Sequence, residues 1–403
     1  METKQKFTSH QKLVAFLCFA AYLLAYLIRI NISIALPDIR AEYGLASAQT
    51  GLITSAFFWV YAVGQLVSGW LGDRISPRYM IGVGLAVSSI LNVALSLCGN
   101  ITAMTVIWAI NGIFQSMLWA PIMRTIVLNS DGERLKRMTF LMSLTLVFGY
   151  AISWSASTII KSFLGWRFVF IIPAFLAFAF AVVWVILYKN KQPTDSEVAE
   201  KKQVRLSSVK MLPVFLGVIV AACIVHGIIK ESINVWLPTM LESAGTFSLS
   251  STLGILLIVP LINFGGVMLM KFIMNRGKSN TYITLSILFA LSLAIAAAAA
   301  VGSTSPYFMI IMTVLLSGLT FAINPVMTAY IPLDFAKYNC VSTIAGFIDC
   351  AIYVGAGLSG VLTGALLDSD TWTGVLIMWS IVALLGTGVS VGLKVLFKKI
   401  EDQ

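Results

Sequence analysis

A single arginine interrupts the first long apolar stretch of the chain. Arg29 lies about midway along residues 13–36. A charge at mid-bilayer costs about 2.5–3.5 kcal/mol on insertion scales, so it normally faces a cavity or a partner. Tyr22, Tyr26 and Arg29 are spaced i, i+4 and i+7, which places two phenols and a guanidinium on one helix face. That face suits a bidentate grip on a phosphate or a carboxylate. The alternative is an arginine that snorkels to the membrane interface.

A second group of polar residues lies in the seventh apolar stretch, residues 212–238. His226 and Lys230 are spaced i and i+4, and Asn234 follows one turn later, so all three can face one cavity. Glu231 is predicted to point about 100° away from Lys230. In the alternative interpretation, Lys230 and Glu231 each pair with a neighbouring helix and touch no ligand.

Three further polar pairs at helical spacing lie within apolar stretches. Each could line a cavity or hydrogen bond one helix to another. The carboxylate among them, Asp349, could also carry a coupling proton or neutralise Lys230 or Arg29. For the pair in the fourth stretch we expect helix contacts. The pairs are Asp349 with Tyr353, Tyr61 with Gln65, and Asn111 with Gln115.

The elements that position these residues follow from composition. The chain has 403 residues, of which 59% are hydrophobic and 11% are charged, whereas an ordinary soluble domain is about a quarter charged. A soluble enzyme is therefore excluded, and we expect no catalytic residues, no cofactor and no metal. The net charge of +10 would indicate nucleic acid only if the basic residues shared one aqueous face. They lie between apolar stretches instead, so no nucleic-acid partner is expected.

Twelve apolar stretches approach or exceed the length needed to cross a bilayer, which predicts an all-α membrane protein. The longest polar segment, Lys189 to Lys210, lies halfway along the chain and separates six stretches from six. We predict an N-terminal half at 1–190, a central cytoplasmic loop at 191–210 and a C-terminal half at 211–403. The predicted spans are 13–36, 49–72, 79–98, 102–128, 138–160, 167–188, 212–238, 250–274, 280–301, 306–331, 340–366 and 372–396.

The distribution of Lys and Arg predicts the orientation. With the N-terminus inside, 22 of the 27 basic residues fall in inner segments, as the positive-inside rule requires. The outer loops hold only Arg40, Lys161 and Arg167, and Arg29 and Lys230 are the basic residues that lie deep inside predicted spans, away from their ends. Both termini are therefore expected in the cytoplasm. Much of the positive charge sets topology and meets anionic headgroups, so it says little about a ligand.

The loop after the second span carries a specific motif. Residues Gly69 to Arg78 read GWLGDRISPR and resemble the G-x-x-x-D-R-x-x-x-R loop of the major facilitator superfamily. Small Gly69 permits close helix approach, and Asp73 and Arg74 at a helix end can form ion pairs that close one side in one state. We predict a gating role for this loop. The corresponding loop of the second half keeps only Arg276 and Lys278.

Four patches carry a closer resemblance. They are AAYLLAYLIRINISIALP (Ala20–Pro37), GIFQSMLWAPIMRTIV (Gly112–Val127), KESINVWLPTML in the seventh span and GFIDCAIYVGAGLSG in the eleventh. They resemble the organophosphate:phosphate antiporters, the glycerol-3-phosphate and hexose-phosphate carriers. The resemblance implies two six-helix halves around a midplane site, one basic residue per half on the phosphate, and nearby tyrosines. By position the basic residues are Arg29 and Lys230, and the tyrosines are Tyr22, Tyr26, Tyr61 and Tyr353.

The chain also departs from that family. Lys230 stands where well-known members have an arginine, so a point charge replaces a bidentate fork. Gln65 stands where members often have a lysine, and residues 138–160 lack the family's fifth-helix histidine. The predicted site is therefore less cationic, unless His226 compensates, and a carboxylate becomes a plausible ligand.

These observations together predict a secondary active transporter of a small organic anion, an organophosphate or a carboxylate, working by alternating access. The family resemblance implies that it exchanges this anion for phosphate or a related anion. Proton symport using Asp349, Glu231 or His226 is the first alternative. A sugar-phosphate sensor that does not transport is the second. We expect a monomer in a bacterial inner membrane. The expected substrate-binding residues are Arg29, Lys230, Tyr22, Tyr26, Tyr61, Gln65, His226, Asn234 and Tyr353, with Asp349 and Glu231 as coupling or counter-charge residues.

Overall fold

The computed structural model describes residues 7–72, 74–130, 132–189, 212–275, 280–334, 341–369 and 372–401, where all regular secondary structure is helical. A π-helical segment, Val326–Tyr330, lies between the helices Pro306–Pro325 and Ile331–Asp334. The helices are α1 (Ser9–Ile30), α2 (Ile32–Tyr43), α3 (Ser47–Gly72), α4 (Pro77–Leu97), α5 (Ile101–Asn129), α6 (Gly132–Leu164), α7 (Phe168–Leu187), α8 (Leu212–Ser243), α9 (Leu249–Asn275), α10 (Thr281–Val301), α11 (Pro306–Pro325), α12 (Ile331–Asp334), α13 (Val341–Ser369) and α14 (Trp372–Glu401).

Within the described ranges, twelve helical stretches are long and apolar enough to cross a membrane. Each of them overlaps one of the twelve predicted spans, so the predicted all-α membrane fold is confirmed. Large apolar side chains such as Phe163, Leu97 and Val301 are strongly exposed on these helices. Such exposure fits helices whose solvent is lipid. The chain is an integral membrane protein.

The largest error in the predicted spans is at the end of the first, which runs Ser9–Tyr43 instead of stopping at residue 36. The predicted span stopped just before Pro37, yet Pro37 lies inside α2. A proline removes one backbone hydrogen bond, and neighbouring helices can offset that loss. Here the last turns of α2 are held by ion pairs of 2.6 Å from Lys161 to Asp38 and from Arg167 to Glu42.

The chain divides into two compact units. The first comprises residues 1–43 and 63–199, and the second comprises 44–62 and 200–403. Helix α3 thus begins in the second unit and ends in the first. The predicted central loop, residues 191–210, lies outside the described residues.

In the first unit, α1 packs against α5, α6 and α7, and α4 packs against α5 and α7. The break between α1 and α2 falls at Asn31, which is fully buried. Asn92 on α4 donates to the carbonyl oxygen of Ile28 at 2.9 Å, and Asn31 donates to the side-chain oxygen of Asn92 at 2.9 Å. A buried carbonyl that loses its intrahelical partner is costly. The two amides thus link the junction of α1 and α2 to α4, and Asn31 Nδ2 also donates to the carbonyl oxygen of Val169 on α7 at 3.2 Å.

In the second unit, α13 packs on α8 through glycines. A side chain at Gly227 would collide with the carbonyl oxygen of Ile352, and one at Gly355 with that of Ile224. Small residues allow membrane helices to approach this closely and to gain van der Waals contact without lipid between them. This packing fixes the helix that carries His226 and Lys230.

The beginning of α3 packs on α13 in the same way. A side chain at Gly360 would collide with the backbone of Gly51 and the hydroxyl of Ser55, and one at Gly364 with the carbonyl of Ser47. The carboxylate of Asp368 accepts hydrogen bonds from the first backbone amides of α3, at 2.6 Å and 2.9 Å. A carboxylate there satisfies orphan amides and is favoured by the helix dipole.

Candidate functional site

Arg29 lies in the last turn of α1, near the middle of the Ser9–Tyr43 span. Its side chain is partly buried. The junction of α1 and α2 falls two residues later at Asn31, whose backbone angles are still helical, and Asn92 on α4 hydrogen bonds to this junction.

Tyr22 and Tyr26 lie together on α1, as their spacing predicts, with ring centres 5.2 Å apart in an edge contact. Tyr22 also packs 4.8 Å from Trp119 on α5, and Tyr26 packs 5.5 Å from Tyr150 on α6. Tyr150 in turn lies 5.2 Å from Trp154. The aromatic row formed by Trp119, Tyr22, Tyr26, Tyr150 and Trp154 crosses three helices.

Three members of this row were not predicted from the sequence. Trp119, Tyr150 and Trp154 lie on other helices than Tyr22, and no spacing along one helix relates them to it. Their only sequence signal is that they are large aromatics with polar tips inside apolar stretches. The indole nitrogen of Trp154 donates a hydrogen bond to the hydroxyl of Ser33 at 3.1 Å.

The fourth-span pair serves a helix contact in part, as expected. Gln115 on α5 is buried and donates to the carbonyl oxygen of Ala25 on α1 at 3.4 Å. Asn111, one turn earlier, is also fully buried. Gln65, on the part of α3 that belongs to the first unit, is partly buried.

Lys230 and Glu231 form an ion pair, with 2.5 Å between Nζ and Oε1. The expectation that Glu231 points away from Lys230 was wrong. Helix geometry separates the two Cβ atoms by about 100°, but both side chains are long enough to bend toward each other. The Lys230 side chain is 12% exposed and that of Glu231 4%, and a buried charge needs such a partner.

Residues of α8 and α11 surround this ion pair. Asn234 Nδ2 donates to the second carboxylate oxygen of Glu231 at 3.3 Å. The ammonium of Lys230 lies 5.4 Å from the ring centre of Phe321 on α11, within the range of a cation–π interaction. Phe321 was not predicted from the sequence, because nothing distinguishes it from the many other phenylalanines in apolar stretches.

His226 is fully buried, and its Nε2 lies 3.4 Å from the side-chain oxygen of Asn324 on α11. Asn324 precedes Pro325 and the π-helical segment, and such segments are frequent at functional sites. A histidine bonded to a neighbouring helix fits a packing role, and its spacing keeps it on the side of α8 that carries Lys230.

The second-unit tyrosines of the predicted site lie together. Tyr61 on α3 and Tyr353 on α13 have ring centres 4.5 Å apart, and Phe58 stacks 6.1 Å from Tyr353. Tyr61 is 1% exposed. Asp349, one turn before Tyr353, is partly buried. The structure thus brings Tyr61 and Tyr353 together although nearly three hundred residues separate them.

The motif loop is described in part, since Asp73 lies outside the described residues, as do Arg276 and Lys278. Gly69 and Arg74 are exposed. Ser76 caps α4, and Arg78 Nε donates to the carbonyl oxygen of Val185 on α7 at 2.6 Å. Arg78 therefore fixes the start of α4 to the end of α7 within the first unit.

Comparisons with known proteins agree with this architecture. The glycerol-3-phosphate transporter of Bacillus subtilis (strain 168) is 24% identical over 389 residues, covering 90% of this chain and 87% of that protein. The "Probable sulfoacetate transporter SauU" of Cupriavidus necator (strain H16) is 26% identical over 202 residues, covering 49% of this chain and 46% of that protein. The match to the glycerol-3-phosphate transporter confirms the predicted resemblance to carriers of phosphate esters.

A solved structure has the same fold. It is a bacterial homologue of the human lysosomal transporter Spinster in an inward-facing and occupied conformation, with a TM-score of 0.72 and 14% identity, covering 97% of this chain and 96% of that one. The sequence model of the Major Facilitator Superfamily matches residues 18–348. With its twelve spans and a match over most of its length, the chain belongs to the Major Facilitator Superfamily and is a membrane transporter, not an enzyme.

Proposed function

We propose that this transporter carries small organic anions by alternating access and exchanges one anion for another. The observation that carries the proposal is the presence of a cation near the middle of two membrane-spanning helices, Arg29 in the first span and Lys230 in the seventh. Ionisable residues at membrane depth are expensive and mark ligand pathways. The lipid bilayer is the protein's medium, and the anion is its ligand.

Arg29 and Lys230 bind the same anion in this proposal. Each occupies the first spanning helix of its six-helix half, and transporters of this kind are built from repeats that place equivalent helices at a midplane site. Two partly buried cations suit an oxyanion, because a guanidinium supplies a fork and an ammonium supplies rotatable donors. The proposed binding set also includes Tyr22, Tyr26, Tyr61, Gln65, His226, Asn234 and Tyr353.

The relatives name two kinds of ligand. The Bacillus subtilis protein is a transporter of glycerol 3-phosphate, and the Cupriavidus necator protein carries the name of sulfoacetate, which has a sulfonate and a carboxylate. Both are small oxyanions, so both belong to the chemistry that Arg29 and Lys230 can bind. We propose organophosphates and small carboxylates as the substrate class.

Exchange is favoured over proton symport by the ion pair in α8. Glu231 supplies a counter-charge to Lys230 at 2.5 Å, so this cation needs no proton-carrying group to balance it when the site is empty. Asp349 is the remaining carboxylate of the predicted set. We place both termini in the cytoplasm of a bacterial cell, with the protein in the inner membrane as a monomer.

Counterflow in proteoliposomes tests the proposal. Vesicles containing purified protein are loaded with unlabelled glycerol 3-phosphate, and entry of labelled glycerol 3-phosphate or of a labelled sugar carboxylate is followed. We expect transient accumulation above equilibrium with at least one of these anions, and its loss in Arg29→Gln. Correctly folded protein that accumulates none of them would contradict the proposal and favour the sensor alternative.

A further inference from the structure

The Lys230–Glu231 pair is built from adjacent residues in one helix. Neighbouring side chains on a helix do not face each other, so the pair forms only because both chains bend to one side of α8. The Nζ–Oε1 distance of 2.5 Å and the 4% exposure of Glu231 make it a buried pair. A pair of this kind is costly to bury and adds little stability over apolar residues, which points to a use other than folding.

Both members of the pair are held by further groups. Asn234 donates to Glu231 Oε2 at 3.3 Å, so the carboxylate is fixed at its second oxygen while its first faces the ammonium. Phe321, which is 1% exposed, lies 5.4 Å from Nζ. The carboxylate is therefore a resident anion beside the ammonium that we propose as half of the substrate site.

We infer that Glu231 selects substrates by charge and favours singly charged anions over doubly charged ones. The inference rests on the proposed function, since it requires Lys230 to contact the substrate. An ammonium has three N–H donors, so a substrate can share it with Glu231. The fixed carboxylate of Glu231 repels every negative charge on the substrate. A doubly charged anion is therefore repelled more strongly than a singly charged one. Like charges placed close together are a common device for rejecting wrong partners.

A pair of matched probes tests charge selection. Glycerol 3-phosphate and glycerol 3-sulfate have nearly the same shape, but at pH 8 the phosphate is a dianion, because its second pKa is about 6, and the sulfate is a monoanion. Affinities of both for the purified full-length protein are measured by competition against one labelled anion. We expect the wild type to prefer the sulfate, and Glu231→Gln to shift the affinity ratio toward the phosphate by at least about tenfold.

Glu242→Gln is the matched control. It makes the same substitution on α8 at an exposed position, and it should leave the ratio unchanged. A wild-type preference for the phosphate would overturn the inference without any variant, even if Glu231→Gln failed to fold. An unchanged ratio in a folded Glu231→Gln protein would overturn it as well.

Lys230→Gln separates this inference from the proposed function. If Lys230→Gln weakens both probes but Glu231→Gln leaves their ratio unchanged, the site stands and charge selection by Glu231 is wrong. If Lys230→Gln leaves both affinities unchanged, or if the wild type binds neither probe, the proposed site at Lys230 is wrong and the inference is overturned with it.

Discussion

The two cations of the proposed site have different surroundings. The charge of Lys230 is neutralised by Glu231, and its ammonium lies near the ring of Phe321. Arg29 comes after Tyr22 and Tyr26 along α1 and before the junction of α1 and α2. A guanidinium presents donors in a fixed plane, and an ammonium is a compact point charge. We therefore propose that Arg29 orients the anion, whereas Lys230 supplies a positive charge whose strength depends on Glu231.

Arg29→Lys tests this assignment. The substitution keeps the charge and loses the two-pronged geometry, so we expect anion affinity to fall by about tenfold or more, with the fold intact. Competition binding and a thermal melt measure the two quantities. Arg40→Lys is the control, because Arg40 is exposed near the end of the same span. Near-normal affinity in Arg29→Lys would show that only the charge at this position matters.

Residue-scale contacts were predictable only within one helix. The spacing of Tyr22 and Tyr26 predicted their contact correctly, because i and i+4 residues lie one above the other. The same rule failed for Lys230 and Glu231, since Cβ directions do not limit where long side chains end. Trp119 and Phe321 could not be found at all, because their neighbours lie on other helices and depend on packing.

At the scale of helices, close packing depends on a few glycines. Helix α13 contacts α8 through Gly355 and contacts the start of α3 through Gly360. Apolar length alone placed the twelve spans, since a stretch that must cross the bilayer is bounded by polar residues. It could not place the end of α2, because ion pairs from other segments sustain that helix beyond Pro37.

Gly360→Ala tests the contact between α3 and α13. The new methyl would collide with the carbonyl of Gly51 and the hydroxyls of Thr54 and Ser55. Overpacking of this kind costs typically about 1–3 kcal/mol, so we expect a lower melting temperature. Gly346→Ala on the same helix meets nothing within 4 Å and should leave the melting temperature unchanged or slightly raised. Equal melting temperatures for the two variants would contradict this account of the interface.

Asn92→Ala tests the support of the break after α1. The substitution removes the 2.9 Å donor of the Ile28 carbonyl and one of the two acceptors of Asn31 Nδ2, which keeps the carbonyl oxygen of Val169 at 3.2 Å. A buried unsatisfied group costs about 1–3 kcal/mol. We expect a clear loss of thermal stability. Because the two amides act together, Asn31→Ala combined with Asn92→Ala should cost less than the two separate losses added. Additive losses would mean that the amides act independently.

At the scale of the whole molecule, the distribution of charge predicts the orientation. Basic residues are concentrated in segments that the positive-inside rule assigns to the cytoplasm. A reporter fused after Gln403 tests the placement of the C-terminus. We expect a fluorescent protein fused there to fluoresce and alkaline phosphatase to be inactive, since phosphatase folds only outside the cytoplasm. The opposite pair of results would reverse the topology.

The coupling of anion transport to another anion or to protons is a property of the whole transporter. In an exchanger, a pH gradient does not drive net uptake into vesicles that lack an internal counter-anion, and Asp349→Asn does not change that. In the symport alternative, the gradient drives net uptake and Asp349→Asn abolishes it while exchange of substrate for substrate persists. We expect the first result. Net uptake that Asp349→Asn removes would replace exchange with symport.

Arg29 and Lys230 are proposed to bind one and the same anion, and a double-mutant cycle on binding distinguishes this shared site from two separate ones. Affinity and stoichiometry for a single anion are measured by calorimetry in the wild type, Arg29→Gln, Lys230→Gln and the double variant. We predict one anion per protein, a large loss in each single variant, and a double variant that binds more strongly than the summed losses imply, because residues on one ligand are coupled. Two anions per protein, or losses that simply add, would contradict the shared site.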